Sequence, residues 1–135
     1  MKTAVFDTNV IVAGFLSPQG PPGLIVEWLR QGLIRAVLDG RVYEEYMEVL
    51  CRAELGLDKK DVAVVLDLIQ ENAIWPALGP DDMIHNLPDP DDAPFLELAK
   101  KAGFDLVTGN VKHFPNSHSR GVKIITPSQW VKEIE

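Results

Sequence analysis

The chain has 135 residues and a single cysteine, Cys51, so no internal disulfide is possible and a reducing compartment is expected. On a helix, Cys51 reads as a small buried hydrophobe. No apolar run approaches the ~20 residues that a membrane helix requires, so no membrane partner is expected. The amino terminus superficially resembles a signal peptide, with Lys2 followed by apolar residues to Leu16. Asp7 interrupts that stretch and no small-residue cleavage site follows, so a cytoplasmic location is expected. Positive charge is also in deficit: 13 Lys and Arg face 20 Asp and Glu, for a net charge of −7. Phosphate binding normally leaves a basic footprint, so this balance is awkward for a nucleic-acid protein.

What is present describes one soluble globular domain. Hydrophobic residues make up 46% of the chain and mean hydropathy is near zero. The length supports one core over residues 1–135 and is too short for two ordinary domains. Repeats, low-complexity segments and internal linkers are absent from the sequence. Charge is unevenly spread. From Leu106 to Lys132 there is no Asp or Glu, whereas Lys112, Arg120, Lys123 and Lys132 occur there with His113 and His118. Such asymmetry suggests an acidic pocket beside a basic rim, and a merely solvated surface is the alternative.

Strand and helix signals alternate. Residues 3–6 read as a buried strand, and residues 10–16 as an apolar segment after a polar break. Pro21 and Pro22 introduce a helix that ends near Gly32. Residues 33–38 form a second strand and residues 41–52 an amphipathic helix. Asp58 caps a helix over residues 59–72. Residues 74–78 read as a short extended piece before a polar loop to Asp92. A helix over 93–102, strands over 106–108 and 122–125, and a final helix opened by Thr126-Pro127 complete the pattern. This alternation predicts an α/β fold with a mainly parallel sheet and helices on both faces.

Acidic sites punctuate these elements. Asp7, in Val5-Phe6-Asp7-Thr8-Asn9, falls at the carboxyl end of the first strand, where open α/β sheets place ligands. It could equally cap the next helix. In the helix over 41–52, Val42, Tyr46, Val49, Leu50 and Ala53 share an apolar arc. Glu45 lies at its edge while Glu44 and Glu48 point away, so Glu45 can reach a cleft or remain a surface residue. Asp89-Pro90-Asp91-Asp92 puts three acids within four residues before a helix, more than capping needs. A cation, protonation or exposure must relieve their repulsion. Leu106-Val107-Thr108-Gly109-Asn110 reads as a strand ending in a tight turn, which would bring Thr108 and Asn110 to the same sheet edge as Asp7.

In their order, Val-Phe-Asp-Thr-Asn, Glu45-Tyr46, Asp-Pro-x-Asp-x-x-Phe-Leu-Glu-Leu-Ala and Val-Thr-Gly-Asn-x-x-His-Phe-Pro resemble the PIN-domain family. The resemblance is greatest to its single-domain bacterial and archaeal branch of VapC-like toxins. It implies an α/β/α sandwich and a metal-dependent ribonuclease. Asp7, Glu45 and Asp92 match the family's acids. At the fourth acidic position, usually Asp, this chain has Asn110, which removes one anionic ligand.

The acidic sites contain no His or Cys, which disfavours zinc, and hard ions such as Mg2+ or Mn2+ suit carboxylate oxygens. Asp7, Glu45 and Asp92 are expected to hold the first ion. Asp89, Thr108 and Asn110 would hold waters or a weaker second ion, with Asn9 in support. Lys112, Arg120 and Lys123 would bind the RNA backbone next to the cut. His113 reads as a polar loop residue rather than a catalytic base. Expected partners are RNA, a cognate antitoxin protein and a second copy of the chain. A structure-specific DNA nuclease, an inactive binding module built on the decayed fourth position, and a phosphotransfer receiver are the competing readings. The receiver is the weakest because no partner acids precede Asp7.

Overall fold

A computed structural model describes residues 2–135, apart from the side chain of Ser117. Four short strands, β1 (Lys2–Phe6), β2 (Ile34–Ala36), β3 (Asp105–Val107) and β4 (Ile124–Ile125), lie parallel in the order β2-β1-β3-β4. Parallel pairing needs long crossovers, and helices supply most of them. These are α1 (Thr8–Leu16), α2 (Pro21–Gln31), α3 (Gly40–Leu50), α4 (Lys59–Asn72), α5 (Ala93–Ala102) and α6 (Pro127–Ile134). The α/β architecture with a central parallel sheet is the one expected from the alternation of elements.

β1 is central because its residues can be buried on both faces. Ala4, Val5 and Phe6 are wholly inaccessible to solvent, as a continuous apolar run in an interior parallel strand should be. The Phe6 ring meets Trp130 of α6 edge to face, with centroids 5.3 Å apart. β1 pairs with β2 through Thr3 and Arg35, and with β3 through Val5 and Leu106. Strand order therefore reverses at β1, and the carboxyl ends of β1 and β3 border the crevice where such sheets bind ligands.

Local chemistry sets the helix ends. Asp58 accepts from the amides of Lys60 and Asp61 to start α4, and Asp39 accepts from Val42 to start α3. Thr126 and Gln129 form a capping box on α6. α1 and α2 approach closely because Gly14 is small: a Cβ there would lie 2.4 Å from Val26 Cγ2 and 2.6 Å from the Pro22 carbonyl oxygen.

Several expectations change in detail. Within residues 74–78 only Ile74 pairs, through a parallel bridge to Val37, and the last strand shortens to Ile124–Ile125. The segment starting at Val10 proves to be the helix α1, beginning at Thr8 directly after Asp7. Cys51 is exposed rather than buried, because α3 ends at Leu50 and leaves Cys51 at its carboxyl cap. The polar loop before α5 contains 3₁₀ turns at Pro80–Asp82 and Pro90–Asp92. Among the described residues no helix is long and apolar enough to cross a membrane.

Candidate metal centre

Asp7 leaves β1 with its amide donating to the Val107 carbonyl at 2.9 Å, which locks it beside the end of β3. It occupies the position before α1, yet its carboxylate makes no capping hydrogen bond. Instead Oδ2 accepts from the hydroxyl of Thr108 at 2.8 Å, and Asn9 Nδ2 lies 3.4 Å from the same oxygen. Asn9 Oδ1 in turn accepts from the Gly109 amide at 3.0 Å, tying α1 to the turn after β3. Asp7 is buried, and this desolvation raises its pKa despite the Thr108 hydroxyl and the nearby amides of Thr8 and Asn9. Because desolvation outweighs these donors, a cation beside the carboxylate would stabilise its charged form.

Glu45 reaches the same end of the sheet from α3, where it accepts a hydrogen bond from the Thr8 hydroxyl. It is half-buried, while Glu44 and Glu48 are exposed, as the apolar arc predicts. Tyr46 explains why an aromatic follows the acid. Its buried hydroxyl donates to the Phe6 carbonyl and so pins α3 to the residue before Asp7. Burial holds the phenol well above its ordinary pKa, which keeps the proton that this bond needs.

Asp89 and Asp92 approach from the loop before α5, where the Asp89 carboxylate accepts from the Asp91 amide at 3.0 Å. Asp92 starts α5 without capping it. Its Oδ2 is buried and accepts no well-aligned hydrogen bond, although His113 Nδ1 stands 3.1 Å away. Burial, with Asp7 and Asp89 adding repulsion, raises the Asp92 pKa to about 6 against the pull of His113. Asp89, Asp92 and His113 place ligand atoms within 4.8 Å of one another. Among the described residues no other set of three His, Cys, Asp or Glu side chains does so. The tightest grouping thus differs from Asp7, Glu45 and Asp92, and it contains a nitrogen. The acidic segments carry no histidine in sequence, but the 3₁₀ turn at Val111–His113 delivers one in space.

Asn110 precedes that turn, half-buried, with its amide donating to Thr108 Oγ1 at 3.0 Å and its side chain making no cap. Exposed Lys112 adjoins His113 at the acidic end. Arg120 and Lys123 do not join them. The Lys123 carbonyl accepts from Leu106, which sets this lysine level with the start of β3, and its ammonium lies 2.5 Å from Glu133. Arg120 donates to the His85 carbonyl at 3.1 Å and lines a cleft with Lys100, Gly103, Asp105 and Lys123. From the start of β3 to Thr108 is three residues, or about 10 Å at the usual strand rise.

The composition of the centre fits a divalent cation: buried carboxylates from separate elements, mutual repulsion, and one buried oxygen without an aligned donor. The sequence reading did not place His113 beside Asp92, and it singled out no role for Glu97, a buried carboxylate on α5 paired with Arg41. A break in an otherwise apolar helical run, Phe95-Leu96-Glu97-Leu98-Ala99, was the available signal for Glu97. The family model described as PIN domain matches residues 3–112, a span that holds the acidic residues and ends one residue before His113. No curated protein and no solved structure gives a significant match.

Proposed function

This chain belongs to the PIN domain family, and from that premise we propose that it is a metal-dependent endoribonuclease, the toxin of a toxin–antitoxin pair. The convergence of Asp7, Asp89 and Asp92, bordered by Glu45, at the reversal of strand order carries this reading. Asp7 and Asp92 are buried beside the more exposed Asp89 and Glu45, and a bound cation would offset the repulsion among them. The likeness of the four motifs to VapC-like toxins supports RNA as substrate, an antitoxin and a second copy of the chain as partners, and a cytoplasmic setting.

Asp89 and Asp92 would hold Mg2+ or Mn2+ with Asp7, and Glu45 and Asn110 would complete the set directly or through water. The bound ion would supply a Lewis acid that lowers the pKa of a water and offsets phosphate charge. The chain's own residues do the rest. Thr108 fixes the Asp7 carboxylate through its hydroxyl, and Thr8 does the same for Glu45. His113 Nδ1, 3.1 Å from Asp92 Oδ2, stands where it would steady that carboxylate beside a bound ion. Because imidazole nitrogen suits transition metals better than Mg2+, a first-row ion such as Mn2+ should outcompete Mg2+ if His113 turns to ligate. Lys112 is the cation placed to meet the RNA backbone beside the acids.

Incubation of the protein with total RNA, with Mn2+ or with a chelator, tests this reading beside Asp7→Asn. Cleavage should require the metal and disappear in the variant, which should fold at least as stably because a repelled buried charge is gone. Cleavage that survives chelation, or that Asp7→Asn leaves unchanged at saturating Mn2+, overturns it.

A further inference from the structure

We propose that Glu97 is a positioning residue that sets the spacing between Glu45 and the Asp89–Asp92 pair. Glu97 is 3% exposed in a helical run whose neighbours Phe95, Leu96, Leu98 and Ala99 are all buried. An apolar side chain of similar volume would fill that place at lower desolvation cost, so stability alone does not explain a carboxylate there. Both of its oxygens are used. Oε1 accepts from Arg41 Nη1 at 2.7 Å, and Oε2 accepts from the Ile84 amide at 2.8 Å. Arg41 also grips Asp39 Oδ2 through Nε and Nη2, at 3.0 and 2.7 Å, and Asp39 is the cap of α3.

The network therefore joins three segments. Arg41 lies one helical turn before Glu45 on α3, Ile84 begins the stretch that leads to Asp89, and Glu97 follows Asp92 on α5. None of these network groups needs to touch metal or RNA. Their effect is to stop α3 and the loop before α5 from drifting apart under the repulsion of the acids they carry. Groups bonded directly to a metal ligand typically change affinity about 10–100-fold, and Glu97 and Arg41, one step further out, should act at the lower end of that range.

The inference rests on the metal-centre reading, and two measurements separate the failure of each. Mn2+ binding by calorimetry is compared for wild type, E97Q, R41M and the double variant, well below their melting temperatures. Metal-free crystal structures of wild type and E97Q supply the distance between the Glu45 and Asp92 backbones. E97Q offers only one acceptor for two donors and should bind Mn2+ about tenfold more weakly while remaining folded. R41M should weaken binding in the same direction, and the double variant by less than the two effects combined, because the Arg41–Glu97 contact is common to both. Wild-type affinity in a folded but less stable E97Q overturns the proposal, since Glu97 would then serve stability alone. If E97Q does not fold, R41K carries the comparison, because it keeps a cation beside the buried Glu97 carboxylate while losing the forked grip on Asp39, and it should weaken Mn2+ binding in the same direction. If wild type itself binds no Mn2+, the metal reading falls and the crystal structures decide about Glu97. A separation altered by about 1 Å upholds the positioning role, and an unaltered one overturns it.

Discussion

Asp92 carries the most readable electrostatics of any residue in the centre. Burial, Asp7 and Asp89 raise its pKa from the ordinary 3.8 to about 6, so the folded chain holds this proton more tightly than the unfolded one. That difference stabilises the metal-free protein fully below pH 3.8 and is lost as pH rises through about 6. Thermal melts in chelator should therefore show a fall in stability between these values that Asp92→Asn flattens; equal slopes would remove Asp92 as its source. Mn2+ affinity should rise over the same window, because the ion must displace the proton. Asn110 presents the complementary case. An amide oxygen can ligate but adds no full charge, whereas a carboxylate about 4 Å from the ion gains roughly 1–4 kcal/mol per charge pair between water-like and surface dielectrics. Asn110→Asp should tighten Mn2+ binding about tenfold or more, at the low end of that range, and lower stability without metal. Calorimetry checks it, and equal affinities would place Asn110 outside the coordination sphere. Asp7 was legible as a ligand or a cap from its place after an apolar strand. Only the Thr108 hydroxyl bond and the missing cap decide how its carboxylate is used.

Among the elements, helices were easier to read than strands because their ends carry specific chemistry. Asp58, the Thr126-Pro127 pair and Gly32 mark boundaries that the fold keeps. The strands are short, and their limits depend on partners distant in sequence. β4 keeps only two of its four expected residues, and the 74–78 piece keeps one bridge. The 3₁₀ turn that carries His113 to Asp92 has no periodicity to announce it, so the nitrogen in the centre was invisible until the loop was placed. Helix packing yields a separate expectation at Gly14. Alanine gains up to about 1 kcal/mol over glycine inside a helix. Here its Cβ would sit 2.6 Å from the Pro22 carbonyl oxygen, a backbone atom that no rotamer change can move aside. Overpacking of this kind costs about 1–3 kcal/mol, so the clash outweighs the propensity gain. Gly14→Ala should lower the urea midpoint with little change in m, and a raised midpoint would mean that α1 and α2 separate freely.

For the molecule as a whole, the problem is how a chain of net charge −7 approaches a polyanion. Long-range attraction cannot help, so any RNA affinity must come from a few local cations and weaken with salt. The sequence grouped Lys112, Arg120 and Lys123 as one rim because no acid separates them in the chain. Folding divides them: Lys112 stays with His113 at the carboxyl ends of the strands, while Lys123 pairs with Glu133 at the start of β3. Linear charge asymmetry fails as a guide here because a parallel strand carries its two ends to opposite edges of the sheet. Lys112→Glu should accordingly weaken RNA binding more than Lys123→Glu, which also releases Glu133 from its ion pair. The salt dependence should follow the same order. Losing one phosphate contact to single-stranded RNA reduces the slope of log affinity against log salt by about 0.7, and Lys112→Glu should show that decrement. Lys123→Glu should leave the slope unchanged. The opposite pattern would place the RNA along the cleft of Arg120 and Lys123, across the amino-terminal end of the sheet and away from the acids.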